Sequence, residues 1–242
     1  MNMLKTMYSI ALKPIRGSSH SERLESFYRH QSDAYDGFRS RLLPGRDELI
    51  KDSVRHLRPG ASWIDIGCGT ASNLEVVPKF SETCGRITLI DLCEPLLAKA
   101  RARIQILGLS QAEIVCGDAT SHPLPAADLV TFSFSLTMIP NWFVAIDAAV
   151  RALKPGGIIA VVDFFVSRRY QDNERSPHPF LTRTFWPIWF GFDNVNLSSD
   201  HIPYLVTHTH TVSLVEGRSS LPFLPFVRVP FYRFIGKKIV HN

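Results

Sequence analysis

The stretch Trp63-Ile64-Asp65-Ile66-Gly67-Cys68-Gly69-Thr70-Ala71 decides the reading of this chain. A short apolar run ends beside an acid, and two Gly follow with one residue between them. A run of that length, rich in Ile, reads as a buried strand. Gly accepts positive φ and lets backbone approach a ligand closely. Strand, tight turn and helix therefore follow one another. In open α/β sheets, ligands bind outside the carboxyl ends of the strands, where this turn lies.

The same pattern recurs outward from it. Ser62–Ile66, Arg86–Asp91, Glu113–Cys116, Asp128–Ser133 and Gly157–Phe165 are short apolar runs. Amphipathic stretches such as Pro95–Leu107 and Asn141–Leu153 separate them. Alternation of this kind means βαβ units. The expected fold is α/β: a Rossmann-like, seven-stranded, mostly parallel sheet with helices on both faces. Helical segments near Glu22–Ala34 and Arg46–Leu57 make an N-terminal helical cap, and another helix is expected around Phe180–Phe190. Thr207–Val215 and Val227–Ile235 alternate and read as an antiparallel pair at one edge. Glu216–Phe226, with Gly217, Pro222 and Pro225, joins them. Pro230 suits an edge strand, because it cannot donate to a ladder. The expected organisation is a flexible arm over residues 1–21 and one domain over 22–242. That domain divides into a cap (22–60), a ligand-binding core (61–166), and a substrate- or membrane-facing segment with the edge strands (167–242).

Composition narrows the partners. A chain of 242 residues that is 45% hydrophobic and 20% charged folds. Its net charge of +5 is unevenly placed: residues 1–163 hold 18 Lys+Arg against 17 Asp+Glu, and residues 164–242 hold 9 against 5. The second part also carries 15 of the 26 aromatics. A basic, aromatic-rich end points to an anionic or interfacial partner or to a packed subdomain with a solvated basic face. No stretch offers the roughly 20 apolar residues of a spanning helix. Leu129–Ile146 comes nearest and is broken by Ser133, Ser135, Pro140 and Asn141. Residues 1–21 contain Lys5, Lys13 and Arg16 and no acid. They read as an arm, with an organelle presequence as the second reading. Cys68, Cys84, Cys93 and Cys116 form no CxxC pair and read as small core residues. No metal site is expected, and a reducing, cytoplasmic compartment follows.

A nicotinamide fingerprint would place a third Gly at position 72, which is Ser72. The Asp65-x-Gly67-x-Gly69 pattern instead resembles motif I of the class I S-adenosylmethionine-dependent methyltransferases. Asp91 ends the second strand and can accept two ribose hydroxyls. Val115-Cys116-Gly117-Asp118-Ala119 follows the third strand, and Leu153-Lys154-Pro155-Gly156-Gly157 precedes the fifth. These matches stand in the family's order over residues 62–165. Ala71 departs from the Gly that many members carry. Nucleic-acid methylation usually brings an Asn/Asp-Pro-Pro-Tyr/Phe motif after the fourth strand. Here that place reads Ser133-Phe134-Ser135-Leu136, so no nucleic-acid partner is expected.

A finer resemblance extends over about residues 24–238. Its residues are Tyr35-Asp36-Gly37-Phe38-Arg39, Leu42-Leu43-Pro44-Gly45-Arg46, Asp91-Leu92-Cys93-Glu94-Pro95, Phe132 to Pro140, Ile159 to Val166, and the late Ser220 to Pro225 with Pro230-Phe231-Tyr232. The set is similar to the methyltransferase component of betaine-lipid synthase, which methylates diacylglyceryl-homoserine three times on nitrogen. The resemblance implies S-adenosyl-L-methionine as cofactor, a lipid substrate at a membrane surface, peripheral membrane association, and a separate aminocarboxypropyl transferase. It implies that Asp65, Gly67, Gly69, Asn73, Asp91, Leu92, Asp118, Ala119 and Ser133 line the cofactor. Alternative acceptors are a phosphoethanolamine lipid or a quinone precursor. A binding protein on the same fold is the reading from another class.

In-line methyl transfer to a neutral amine asks mainly for positioning and exclusion of water. Ser133 and Ser135 at the end of the fourth strand, Tyr35 in the cap and Asp163 at the end of the fifth strand are the catalytic candidates. Arg39 and Arg46 suit a carboxylate of substrate or cofactor. His178 stands on an expected loop beside the site. A quaternary ammonium product prefers aromatic faces, for which Phe164, Phe165, Trp186, Trp189 and Tyr232 are candidates. Trp186 and Trp189 also suit interface anchors. His208 and His210 share one strand face if that segment is a strand.

Overall fold

The computed structural model describes Glu22 and residues 43–171, 175, 177–191, 194–221 and 224–239. Tyr35, Arg39 and the helix expected at Glu22–Ala34 lie outside the described residues, Glu22 excepted. The strands are β1 (Ser62–Ile66), β2 (Arg86–Asp91), β3 (Ala112–Cys116), β4 (Ala127–Ser133), β5 (Leu153–Phe164), β6 (Thr209–Leu221) and β7 (Leu224–Lys238). The helices are α1 (Arg46–Val54), α2 (Asn73–Val76), α3 (Pro78–Thr83), α4 (Glu94–Leu107), α5 (Trp142–Ala152), α6 (Phe180–Gly191) and α7 (His201–His208). A 3-10 turn spans Leu136–Met138.

The seven strands form one sheet in the order β3-β2-β1-β4-β5-β7-β6. The pairs among β1 to β5 are parallel, and β7 runs antiparallel to both β5 and β6. The strand order reverses at β1, between β2 and β4, which opens a crevice at its carboxyl end. Burial on both faces explains the continuous apolar runs. Trp63, Leu89, Leu129 and Val162 face the helices α1, α2, α4 and α6. Ile64, Ile90, Val130 and Val161 face α5 and α7.

The sheet corrects three expectations at its late edge. The late strands run on to Leu221 and resume at Leu224, so Glu216–Phe226 is mostly strand rather than loop. Thr207 and His208 end α7, which the sequence did not announce. Ile202 and Leu205 bury one turn of that helix, while His201 is buried beside Trp142. His208 and His210 therefore sit on different elements. Pro230 lies in β7, which is internal. By that position β5 has ended, and Pro230 only accepts, from the Phe165 N–H. The Lys154–Gly157 turn appears as a break in register: Leu153 pairs with Ala127 and Ile158 with Leu129. Cys68, Cys84 and Cys93 are buried as expected, whereas Cys116 is exposed.

Candidate active site

Gly67 and Gly69 both take positive φ, +70° and +54°. The amides of Gly67 and Cys68 donate to the Ile90 carbonyl at 2.8 and 3.1 Å, tying the turn to β2. Ala71 adopts φ +59°, so the third position of the turn is left-handed although it is not Gly. That conformation costs an L-residue about 1–2 kcal/mol.

Asp65 does not face a cleft. It is fully buried beneath the turn, where Asn73 Nδ2 donates to both carboxylate oxygens at 3.2 and 3.0 Å. Thr131 Oγ1 donates to Asp65 Oδ1 at 2.6 Å and accepts from Trp63 Nε1 at 2.9 Å. Asp65 thus fastens β1, β4 and the start of α2 together. It positions the turn rather than touching a ligand.

Two clefts open on either side of that turn, and Gly67 and Gly69 line both. The first has a volume of about 270 Å³ and is walled by Ile90, Leu92, Leu96, Ala119, Met138 and Ile139. Asp91 and Asp118 bring carboxylates to it. Asp91 accepts from the Gly69 amide at 2.8 Å and from the Cys93 amide at 2.8 Å, which fixes its orientation. Asp118 accepts from the Thr120 amide and hydroxyl at 2.8 and 2.7 Å. Flat apolar walls with two oriented carboxylates suit a nucleoside. A carboxylate held as Asp91 is can take a vicinal diol bidentately.

The second cleft, about 250 Å³, is lined by Arg46, Thr70, Ser72, Asn73, Arg103 and Ser133 among others. Arg46 begins α1, where its Nη1 donates to Ser72 Oγ at 3.1 Å and its Nε to Asp47 Oδ1 at 2.9 Å. Ser133 Oγ is buried with no hydrogen-bond partner among the described residues. An orphaned buried hydroxyl costs about 1–3 kcal/mol, so its place in this cleft points to a polar ligand. Guanidinium and hydroxyl together suit an amino-acid end group.

The two serines part company. Ser135 lines the first cleft and donates its hydroxyl to the Ile66 carbonyl at 2.8 Å. Between them Phe134 takes φ +54°, which breaks the strand alternation. Phe134 lines the first cleft, as do Thr120 and Met138 to Asn141. Sequence reasoning passed over these residues, since an aromatic in the left-handed region carries no sequence signal.

Asp163 and His178 reach neither cleft. Asp163 accepts from the Thr137 amide at 3.1 Å and its hydroxyl at 2.8 Å, and from the Phe164 amide at 2.8 Å. It holds the Leu136–Met138 turn that roofs the first cleft, and so acts as a positioning residue. His178 is buried: its Nδ1 accepts from the Ser167 amide at 3.1 Å and its amide donates to Ser167 Oγ at 2.6 Å. Burial pushes its pKa down to about 4, with Arg218 and Arg183 adding to the effect. It pins the start of α6. Of the proposed aromatics, Trp186 and Tyr232 are core and Trp189 is exposed.

Burial raises the carboxyls of Asp65 and Asp163 to about 6 and about 7, against the hydrogen bonds that oppose it. Both exceed the unfolded value near 3.8. Their contribution to stability is present below the unfolded value. It is lost as pH rises through the folded values, because the unfolded chain ionises first. Wild type should therefore lose ground to Asp163→Asn between about pH 4 and about pH 7 in urea unfolding. A difference between the two proteins that stays constant with pH would place the Asp163 titration elsewhere.

Residues 64–161 match the methyltransferase domain family. A demethylmenaquinone methyltransferase of Bacillus cytotoxicus is 28% identical over 150 residues, which are 60% of this chain and 63% of that protein. The match thus spans less than two thirds of the relative. The N-methyltransferase NodS of Bradyrhizobium japonicum, solved with S-adenosyl-L-homocysteine, superposes with a TM-score of 0.67 at 16% identity. It covers 92% of this chain and 100% of its own. Phosphoethanolamine N-methyltransferase 2 of Haemonchus contortus, solved with phosphomonomethylethanolamine and S-adenosylhomocysteine, gives a TM-score of 0.67 at 14% identity. It covers 93% of this chain and 61% of its own. The fold is the Rossmann-like methyltransferase fold, as the sequence led one to expect. Within that fold the two clefts lie at the strand-order reversal, outside the carboxyl ends of β1, β2 and β4.

Proposed function

We propose that the protein is an S-adenosylmethionine-dependent N-methyltransferase that converts diacylglyceryl-homoserine to its trimethylated betaine lipid. The observation that carries the methyl-transfer part is the pair of clefts sharing Gly67 and Gly69. One is apolar with two oriented carboxylates, for a nucleoside. The other offers Arg46 and the unpartnered Ser133 hydroxyl, for an amino-acid tail. The cofactor, when bound, supplies a methyl on a sulfonium, open to in-line attack by an amine lone pair. Asp91 and Asp118 hold the nucleoside, and the turn brings its backbone close. Met138 to Asn141 roof the first cleft and keep water out, and Asp163 holds down the turn they follow through Thr137. No covalent nucleophile is needed. The homoserine-lipid acceptor rests on the sequence resemblance, and so does an aminocarboxypropyl transferase as the supplier of its headgroup. A quinone precursor is the second reading, favoured by the Bacillus cytotoxicus relative.

Incubation with methyl-labelled cofactor and separate vesicles of diacylglyceryl-homoserine, phosphatidylethanolamine or demethylmenaquinone decides among them. Mass spectrometry should find one, two and three added methyls on the homoserine lipid. Label only in the quinone would replace this acceptor by the second reading. Label in none, with no S-adenosylhomocysteine bound in calorimetry, would remove the enzyme reading. Arg46→Lys should weaken S-adenosylhomocysteine binding about tenfold, because a single ammonium replaces a planar fork. Unchanged affinity would take Arg46 out of the cofactor site.

A further inference from the structure

Helix α6 is built inside out. Phe180, Leu181, Phe185, Ile188 and Trp189 are 71%, 77%, 43%, 60% and 44% exposed. They fall at i, i+1, i+5, i+8 and i+9, one continuous helical face. Thr184 is the only polar side chain on that face. The inner face, by contrast, buries Trp186 and carries the half-buried Arg183. Exposed apolar residues scattered singly need no explanation, but five on one helix face mark an interaction site.

The charge around the helix selects the occupant. From Arg175 to Phe192 the sequence holds two Arg and one His between the flanking acids Glu174 and Asp193. Arg175 pairs with Glu216 at 3.1 Å and Arg168 with Asp200 at 2.6 Å, while Arg183 lies within the helix itself. Residues 164–242 as a whole carry 9 Lys+Arg against 5 Asp+Glu, so +4. Arg183 and Arg218 lie close enough to His178, two residues before the helix, to depress its pKa. The Ser167–His178 hydrogen bonds also bring Arg168, Arg169 and the exposed Tyr170 to the root of α6. Phe, Leu, Ile and Trp on one face with Arg around them is the composition of an interfacial helix.

The helix also leads to the cleft. Trp186 packs on Phe190 with ring centroids 5.7 Å apart, Phe190 stacks on Phe164 at 5.0 Å, and Phe164 meets Phe134 at 4.7 Å. Phe134 lines the first cleft. An aromatic chain thus joins the exposed helix to the site.

We infer that the outer face of α6 seats this protein on an anionic bilayer, with Leu181, Ile188 and Trp189 in the acyl boundary and the neighbouring Arg at the headgroups. The choice of lipid as occupant rests on the lipid-acceptor reading, while the binding test below stands apart from catalysis.

The full chain is mixed with vesicles of phosphatidylcholine alone and of phosphatidylcholine mixed equally with phosphatidylglycerol. Sedimentation should show binding to the mixed vesicles, weakened by salt. Tryptophan emission should shift to the blue, because Trp63 and Trp186 are already buried, Trp142 is half-buried against His201 and Tyr204, and Trp189 stands exposed on this face. Trp189→Phe should abolish the shift. The double variant Leu181→Ser with Ile188→Ser should bind at least about tenfold more weakly. Both side chains point outward, so the variant should keep its far-UV spectrum and its S-adenosylhomocysteine affinity in calorimetry. Undiminished vesicle binding by that variant overturns the inference. So does a lipid-free wild type that is a dimer, and becomes monomeric in the double variant without ever sedimenting with vesicles. A Trp189 contribution, taken as wild type minus Trp189→Phe, that is already shielded from a soluble quencher before lipid is added also overturns it, since the face is then covered by the chain itself. Intact cofactor binding in any of these outcomes leaves the methyltransferase reading standing.

Discussion

Gly67→Ala should destabilise the protein by about 2–5 kcal/mol, the sum of a conformational and a packing penalty. Gly67 sits at φ +70°, where an L-residue is strained by about 1–2 kcal/mol. A Cβ added there would overlap the Ser135 Cβ and stand 3.0 Å from its Oγ. Ser135 cannot step aside, because it is buried and its hydroxyl is anchored on the Ile66 carbonyl. Overpacking of this kind costs about 1–3 kcal/mol more. Urea unfolding should therefore show the midpoint falling while its slope is kept. The double variant Gly67→Ala with Ser135→Gly should recover the packing share and leave the conformational share. Loss within about 0.5 kcal/mol of wild type would mean that this turn does not pass so close to β4's end.

How much of this was readable beforehand depends on the residue. The parallel core was legible because strands buried on both faces become uninterrupted apolar runs, and those runs match β1 to β4 within a residue. β6 and β7 were legible as an antiparallel edge pair, but their lengths were not. Gly217 and the prolines that follow it look like loop formers, yet Gly217 sits in β6, where a Cβ would meet the Phe231 ring. His201–His208 hid as a helix because it shows only two buried apolar residues at i and i+3. The acids at strand ends look alike in sequence. Asp65 turned out to be an internal fastener, Asp91 a cleft wall and Asp163 a support for a turn. What separates them is where the chain bends, and that is set by backbone geometry such as the left-handed Phe134. Trp186 and Trp189, three residues apart, read as a pair of anchors. The helix turns one into the core and leaves the other outside.

Asp91→Ala should reduce affinity for S-adenosylhomocysteine about 100-fold or more. Two hydrogen bonds to a charged acceptor contribute about 1.5 kcal/mol each, and about 3 kcal/mol is a little over two decades in Kd. The variant also strands the Gly69 and Cys93 amides that the carboxylate now receives. A loss of affinity alone would thus mix a ligand contact with a loosened turn. A cofactor analogue lacking the 2′ hydroxyl separates them. Against wild type that analogue should bind at least about tenfold more weakly than the parent, since one hydroxyl contact is gone. Against Asp91→Ala the parent and the analogue should bind alike, because the acceptor is no longer there to tell them apart. Asp65→Ala provides the contrast: its carboxylate is buried under the turn and faces neither cleft, so the analogue should keep its full disadvantage even where overall affinity falls. If the 2′ hydroxyl mattered equally in wild type and Asp91→Ala, the ribose would not lie on Asp91. The first cleft would then have to hold the nucleoside the other way round, with its sugar toward Asp118.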